Sequence, residues 1–197
     1  MEAYDVLLNR RSIRKYTEQS VAPEILEKIL KAGLAAPSAK NMQPWEFIVV
    51  TDREMLDKLS EVRPFWKMLK QAPLAIVTLA DLRLYEGDKL GMYVQDCSAA
   101  TENMLLAAEA LGLGGVWLGL YPREEPIRDV RALLSIPEES MPGCGLVIGG
   151  ELLRGSRGFA GEVMFIENLP REELEERLRN RPHAMAELVW AMLRPIT

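Results

Sequence analysis

The sequence predicts one domain in which helices and strands share a core, on three observations. Short apolar runs of strand length, such as Phe47-Ile48-Val49-Val50 and Leu74 to Ala80, alternate with stretches whose apolar residues recur at helical spacing. A long helical stretch, apolar nearly all round, lies among them and belongs in a core or a subunit interface. No strand–turn–helix junction carries the spaced glycines of a dinucleotide-binding fingerprint. The 197 residues suffice for one domain of ordinary size, and 48% hydrophobic with 27% charged residues is the profile of a soluble globular protein.

Taken in order, Ala3 to Asn9 reads as a short helix followed at once by a basic cluster. Pro23 suits the first position of a helix in which Ile25, Leu26, Ile29, Leu30 and Leu34 share a face, and Pro37 ends it. After the strand Phe47 to Val50, Thr51 or Asp52 can cap the next helix. Pro73 introduces the strand Leu74 to Ala80, and the long apolar helix runs from about Lys89 to Leu111. Gly112, Gly114 and Gly115 then precede the strand Val116-Trp117-Leu118; because they open a strand and not a helix, they do not read as a phosphate loop. A helix over about Arg123 to Leu134 and a strand over Gly145 to Ile148 follow. In the tail, Pro170 begins a helix that Pro182 interrupts. Met185, Leu188, Val189, Met192 and Leu193 then recur at the spacing of one helical face, which must dock on something.

Composition excludes several functions. A net charge of −5 argues against a general nucleic-acid binder. The N-terminus lacks the apolar core of a signal peptide, and no apolar run is long enough to span a bilayer, so a cytoplasmic protein without a membrane partner is expected. Cys97 and Cys144 are far apart in sequence and read as two small buried residues in a reducing compartment. The single histidine, His183, rules out multi-histidine metal sites, and no metal is expected. No nucleophile elbow accompanies that histidine, which argues against a hydrolase.

Two segments remain that could carry chemistry. The first is Asn9-Arg10-Arg11-Ser12-Ile13-Arg14-Lys15-Tyr16, where Arg10, Arg11 and Arg14 offer planar forks of donors that match phosphate oxygens, and Ser12 adds a hydroxyl. On its own this cluster reads as a solvated basic turn in preference to a phosphate cradle. The second is Ala36-Pro37-Ser38-Ala39-Lys40-Asn41-Met42-Gln43-Pro44-Trp45, a polar connection between a helix and a strand that alone reads as an ordinary loop.

Together the two segments closely resemble the signatures of the nitroreductase family of FMN-dependent NAD(P)H oxidoreductases. The resemblance extends over most of the chain: Asp96 to Ala108 resembles the family's long central helix, and Gly112 to Pro122 the segment whose backbone passes the flavin ring. It implies an α+β fold with a central mixed, mainly antiparallel sheet surrounded by helices, in a domain-swapped type of homodimer with FMN at the interface. Residues 1–169 would form the FMN-binding domain, and 170–197 a helical extension docked on the partner.

By the same resemblance Arg10 and Ser12 hold phosphate and ribityl oxygens, and Arg14 lies near the N1–C2 edge of the ring. Arg11 either shares the phosphate or points away. Pro37, Ser38, Asn41 and Gln43 belong to a loop that reaches the flavin across the dimer interface. A main-chain N–H near Leu118 or Gly119, in the stretch with Trp117, bonds to flavin N5. Arg157, followed by Val163, Met164 and Phe165, is a further phosphate contact, and Arg154 a weaker candidate. Met164 stands where the family often has histidine, and Gly150-Glu151 replaces a usual Tyr-Pro pair, so the flavin site carries over more directly than any substrate.

Phe65, Trp66 and Lys67 either cover the exposed face of the flavin and stack on a flat substrate or, for the two aromatics, pack beneath a loop. The implied activity moves a hydride from NADH or NADPH through flavin N5 to a small-molecule acceptor such as a nitroaromatic or a quinone, by ping-pong turnover, with no side chain acting as nucleophile. Two alternatives are an FMN-binding or regulatory protein without nicotinamide-dependent turnover, and a flavin-free dimerisation module in which the arginines are surface charge.

Overall fold

The computed structural model describes residues 2–17, 19–85 and 91–150, and the backbone of 192–193. Strands β1 (Trp45–Val50), β2 (Leu74–Asp81), β3 (Gly114–Gly119), β4 (Ser140–Gly149) and β5 (Met192–Leu193) form one sheet in the order β3-β4-β2-β1-β5. The ladders between these strands are antiparallel. One parallel bridge, from Ser12 to Gly115, attaches the basic segment to the sheet at β3.

Both faces of the sheet are covered. On one, Trp45, Phe47 and Val49 of β1, Ile76 of β2 and Leu146 of β4 pack with α2 (Pro23–Leu34) and α4 (Met92–Ala110). On the other, Ile48, Val50, Val77 and Val147 pack with α3 (Arg53–Val62), α5 (Glu124–Leu134) and Trp66. A strand buried on both faces shows no polar–apolar alternation, so its sequence marks the run but not which residue faces which layer. Helix α1 (Ala3–Asn9) lies against α4, burying Val6.

The α2–α4 contact is close because of one glycine. A Cβ at Gly33 would sit 2.9 Å from both Met104 Cγ and Phe47 Cζ. The Asn103 side-chain amide donates to Ala32 O at 3.1 Å across the same contact. Helix α4, apolar on most of its surface, is thereby held between α2, the sheet and α1.

Several boundaries move from their sequence expectation for physical reasons. Helix α2 stops at Leu34, short of Pro37, with Ala36 N–H turned onto Gly33 O in a tightened last turn. Asp52, not Thr51, caps α3: its Oδ1 accepts from Met55 N at 2.8 Å. Strand β4 begins at Ser140, five residues before the expected Gly145, because β2 pairs with it from Ser140 onward, whereas β3 joins only from Cys144. The β2–β4 register shifts between Thr78 and Leu79, next to Pro142, an irregularity of the kind that accommodates a residue with no N–H.

Met192 and Leu193, expected on a helical face, form β5 instead, with Met192 opposite Ile48 and Leu193 opposite Phe47. The β1 edge offers backbone donors and acceptors that only an extended segment can pair, a demand that side-chain periodicity in the tail does not report. The rest of the expected extension, 170–191 and 194–197, lies outside the described residues, as do Arg154, Arg157 and Val163 to Phe165.

Candidate functional site

The basic segment is seated on the open edge of the sheet. Helix α1 ends at Asn9, and the chain then runs beside β3, where Ile13 N donates to Gly115 O at 2.9 Å. The seat exists because residue 114 has no side chain: a Cβ there would meet three Ile13 side-chain carbons at 2.8 to 2.9 Å. Ile13 is buried, while Ser12 and Arg14 on either side of it remain half-exposed. Arg10 lies with Nε 3.5 Å from Glu102 Oε1 of α4. Arg14 reaches the Ser12 carbonyl at 3.5 Å, the long limit of a hydrogen bond. Arg11 turns back onto the end of α1, donating to Leu8 O at 2.6 Å and Arg10 O at 2.7 Å, where a cation complements the helix dipole.

The same bridge settles the direction of every backbone group along β3. Gly115 C=O points away from β4, toward the basic segment. In an antiparallel ladder, successive residues alternate between facing the partner strand and facing away. Gly115, Trp117 and Gly119 therefore present N–H and C=O to the open edge, whereas Val116 and Leu118 present theirs to β4. Leu118 is also buried in the core on the α3–α5 side. Of the expected pair Leu118 and Gly119, only Gly119 has an outward N–H.

Trp117 and Gly119 also line a cavity of about 80 Å³ with Tyr93, Ser98, Tyr121 and Cys144. Burial pushes the Cys144 thiol up to about 11 and raises that of Cys97, also in the lining. Burial, followed by the neighbouring Tyr121, likewise raises the Tyr93 phenol. The thiols are therefore protonated near neutral pH and offer no thiolate nucleophile.

The second segment forms a strained loop over the start of α4. Pro37 and Asn41 are exposed, and Ser38 and Gln43 half-buried. Gln43 N donates to Ser38 Oγ at 3.0 Å, and the Gln43 amide to Asn41 Oδ1 at 3.0 Å. Lys40, Asn41 and Gln43 all have positive φ, at 53°, 57° and 48°. Each costs about 1 kcal/mol or more for a residue with a Cβ. Ala39 N donates to Asp96 Oδ1 at 2.9 Å, which ties the loop to α4.

Helix α4 is thus the common support of both segments. It holds the loop at Asp96 and the basic segment at Glu102. Six positions along a helix place these attachments about 9 Å apart on its axis and about 120° apart around it. Asp96 was not among the expected site residues; its one sequence signal is a carboxylate in an otherwise uncharged stretch of α4.

The third group divides. Of the two placements the sequence leaves open for Trp66, the structure has the ring buried in the α3–α5 layer. Phe65 is 77% exposed, and Lys67 pairs with Glu61 on the surface. Among the described residues no helix is long and apolar enough to cross a membrane.

Comparison with known proteins agrees with this architecture. The Nitroreductase family model matches residues 7–63 and 62–150. A protein of Archaeoglobus fulgidus, provisionally named NADH dehydrogenase/NAD(P)H nitroreductase, is 57% identical over 139 residues, 70% of this chain and 78% of that one. The solved structure of an FMN-dependent nitroreductase from Clostridium difficile R20291 matches with a TM-score of 0.69 at 35% identity, over 84% of this chain and 96% of that one. A provisionally named nitroreductase from Desulfovibrio desulfuricans, solved in complex with FMN, matches with a TM-score of 0.67 at 32% identity, over 76% and 86% of the two chains. With its sheet order, its helical layers and both signature segments accounted for, the chain belongs to the nitroreductase family.

Proposed function

We propose that this protein is an FMN-dependent oxidoreductase that takes reducing equivalents from NADH or NADPH and delivers them to a flat, electron-poor small molecule such as a nitroaromatic or a quinone, by ping-pong turnover. The observation that carries this reading is the seating of Arg10, Ser12 and Arg14 beside the outward N–H groups of β3. These residues fit FMN. A phosphate monoester with close to two negative charges needs several cationic donors, and Arg10 with Ser12 would hold the phosphate and ribityl oxygens. Arg14 would lie at the N1–C2 edge, where a positive charge favours the reduced anionic ring.

Gly119 N–H would meet N5, because a backbone donor is rigid and carries no titrating proton. Leu118 N–H is turned into the β3–β4 ladder and is not available for that contact. Bound FMN supplies hydride acceptance and donation, chemistry that no side chain here provides. Arg11, which braces the end of α1, would orient the segment and leave the phosphate to its neighbours. Arg157 would add a further phosphate contact.

The reading includes a cytoplasmic homodimer in which the Pro37–Gln43 loop completes the partner's flavin site. Two features support it. The loop and the basic segment attach to α4 on faces about 120° apart, so one copy does not bring them together through that helix. Tyr4, Leu7 and Leu8 on α1 are 70%, 58% and 55% exposed at the spacing of one helical face, an apolar strip that a second copy would cover.

The test is the visible spectrum of the purified protein under argon, before and after NADH and then NADPH. A yellow protein that bleaches supports the oxidoreductase and names its reductant. A yellow protein that stays oxidised with both favours a binding role without turnover. A colourless protein that FMN does not reconstitute refutes the reading.

A further inference from the structure

Asp96 is 4% exposed, on the second turn of α4. Its Oδ1 accepts from Ala39 N at 2.9 Å, and its Oδ2 accepts the Tyr85 hydroxyl. What it holds is the strained loop: Lys40, Asn41 and Gln43 occupy the left-handed region, where residues with a Cβ persist only if the surroundings over-determine them. Three clamps are visible. Asp96 fixes Ala39 at the start of the strained residues, Ser38 Oγ closes the loop on Gln43 N at 3.0 Å, and Asp81 N donates to Pro44 O at 2.8 Å just beyond. Of the three, Asp96 is the one in which a side chain from outside the loop does the holding.

Asp96 is itself held. The Tyr85 ring meets Tyr93 edge-on at 6.0 Å and 65°, and Tyr93 meets Tyr121 at 6.2 Å and 78°. Tyr93 and Tyr121 wall the cavity beside Gly119, so one turn of α4, through Tyr93, Asp96 and Cys97, supports both the loop and the cavity.

We propose that Asp96 is the positioning residue of the Pro37–Gln43 loop, holding it in its cofactor-ready shape before FMN arrives, with Tyr85 orienting the carboxylate. The cost of ordering the loop then falls on folding and not on cofactor binding, which is how preorganisation raises affinity. The inference rests on the flavin reading of this loop given above.

The test titrates the full-length apo-protein with FMN, following flavin fluorescence and the visible absorption and circular dichroism of the bound flavin. Asp96→Ala removes the acceptor, and FMN affinity is expected to fall about tenfold or more, with altered flavin bands. Asp96→Asn keeps an oxygen for Ala39 N–H, and its amide can donate to the Tyr85 oxygen. It is expected to restore both affinity, to within about threefold, and the bands. Tyr85→Phe leaves the Ala39 bond in place and is expected to weaken FMN by about three- to tenfold; it carries the test if Asp96→Ala does not fold.

The proposal is overturned by wild-type affinity and spectrum in Asp96→Ala, by an Asn variant as impaired as the Ala variant, or by unchanged affinity in Tyr85→Phe. Failure of the unsubstituted protein to bind FMN would instead sink the flavin reading itself, and is distinguishable because it requires no substitution.

Discussion

Replacing Gly114 by alanine tests whether the missing side chain is what seats the basic segment on β3. The new methyl would lie 2.8 to 2.9 Å from Ile13 Cγ2, Cβ and Cγ1, whereas ordinary contact begins at 3.4 Å, so Ile13 must retreat by about 0.6 Å. Rotating χ1 does not help, because Cβ itself is among the three atoms. Ile13 is also tied through its N–H to Gly115 O at 2.9 Å, so the backbone must yield along with the side chain.

Overpacking of this kind costs about 1–3 kcal/mol, and weakening the hydrogen bond about 1 kcal/mol more. We expect a loss of about 2–4 kcal/mol, a fall of about 4–16 °C in Tm for a chain of this length. FMN affinity should fall with it, because Arg10, Ser12 and Arg14 move with Ile13. Urea denaturation followed by circular dichroism measures the first effect and FMN titration the second. In the double variant Gly114→Ala/Ile13→Gly all three clashing atoms are gone, so the two substitutions should be coupled by about 1 kcal/mol or more. A loss under about 0.5 kcal/mol in Gly114→Ala, with an additive cycle, would refute the reasoning.

Three further outcomes follow from the packing and the charges. Phe65→Ala should leave stability within about 0.5 kcal/mol, whereas Trp66→Ala should cost about 3–5 kcal/mol; equal urea midpoints for the two would contradict their placement. Hydrogen bonds from Lys67 and Lys70 hold the exposed Glu61 carboxyl down to about 2, from an ordinary 4.5. Its folded value lies below its unfolded one, so its contribution to stability is complete above pH about 4.5 and is lost as pH falls toward 2. Glu61→Gln should flatten the dependence of Tm on pH in that window, and added salt should shrink the difference; identical profiles would refute the pairing. Finally, the buried, protonated Cys97 and Cys144 should resist a thiol reagent at about pH 8 in the native protein and both react in urea. Rapid native labelling would show that the cavity they line is open.

Helix α2 begins where local chemistry places it, with Pro23 at its first position. The apolar runs of β1 and β2 were legible because both faces of these strands are buried. The first half of β4 was not, since Pro142 and its neighbouring glycine carry no strand signal and only pairing with β2 extends it. Met192 and Leu193 show the converse, a helical periodicity overruled by an edge that needed pairing.

At the candidate site, the sequence by itself supplied the donor chemistry of the basic segment, and its resemblance to the family singled out both segments. Donor chemistry belongs to residue types. The tertiary structure alone decided that Gly119 and not Leu118 turns its N–H outward, because that follows from which edge of β3 meets β4. It also separated the buried Trp66 from the exposed Phe65, and it brought Asp96 beneath a loop far from it in sequence. Orientation, burial and long-range contact depend on the partner that each segment meets, and no local stretch of chain carries that information.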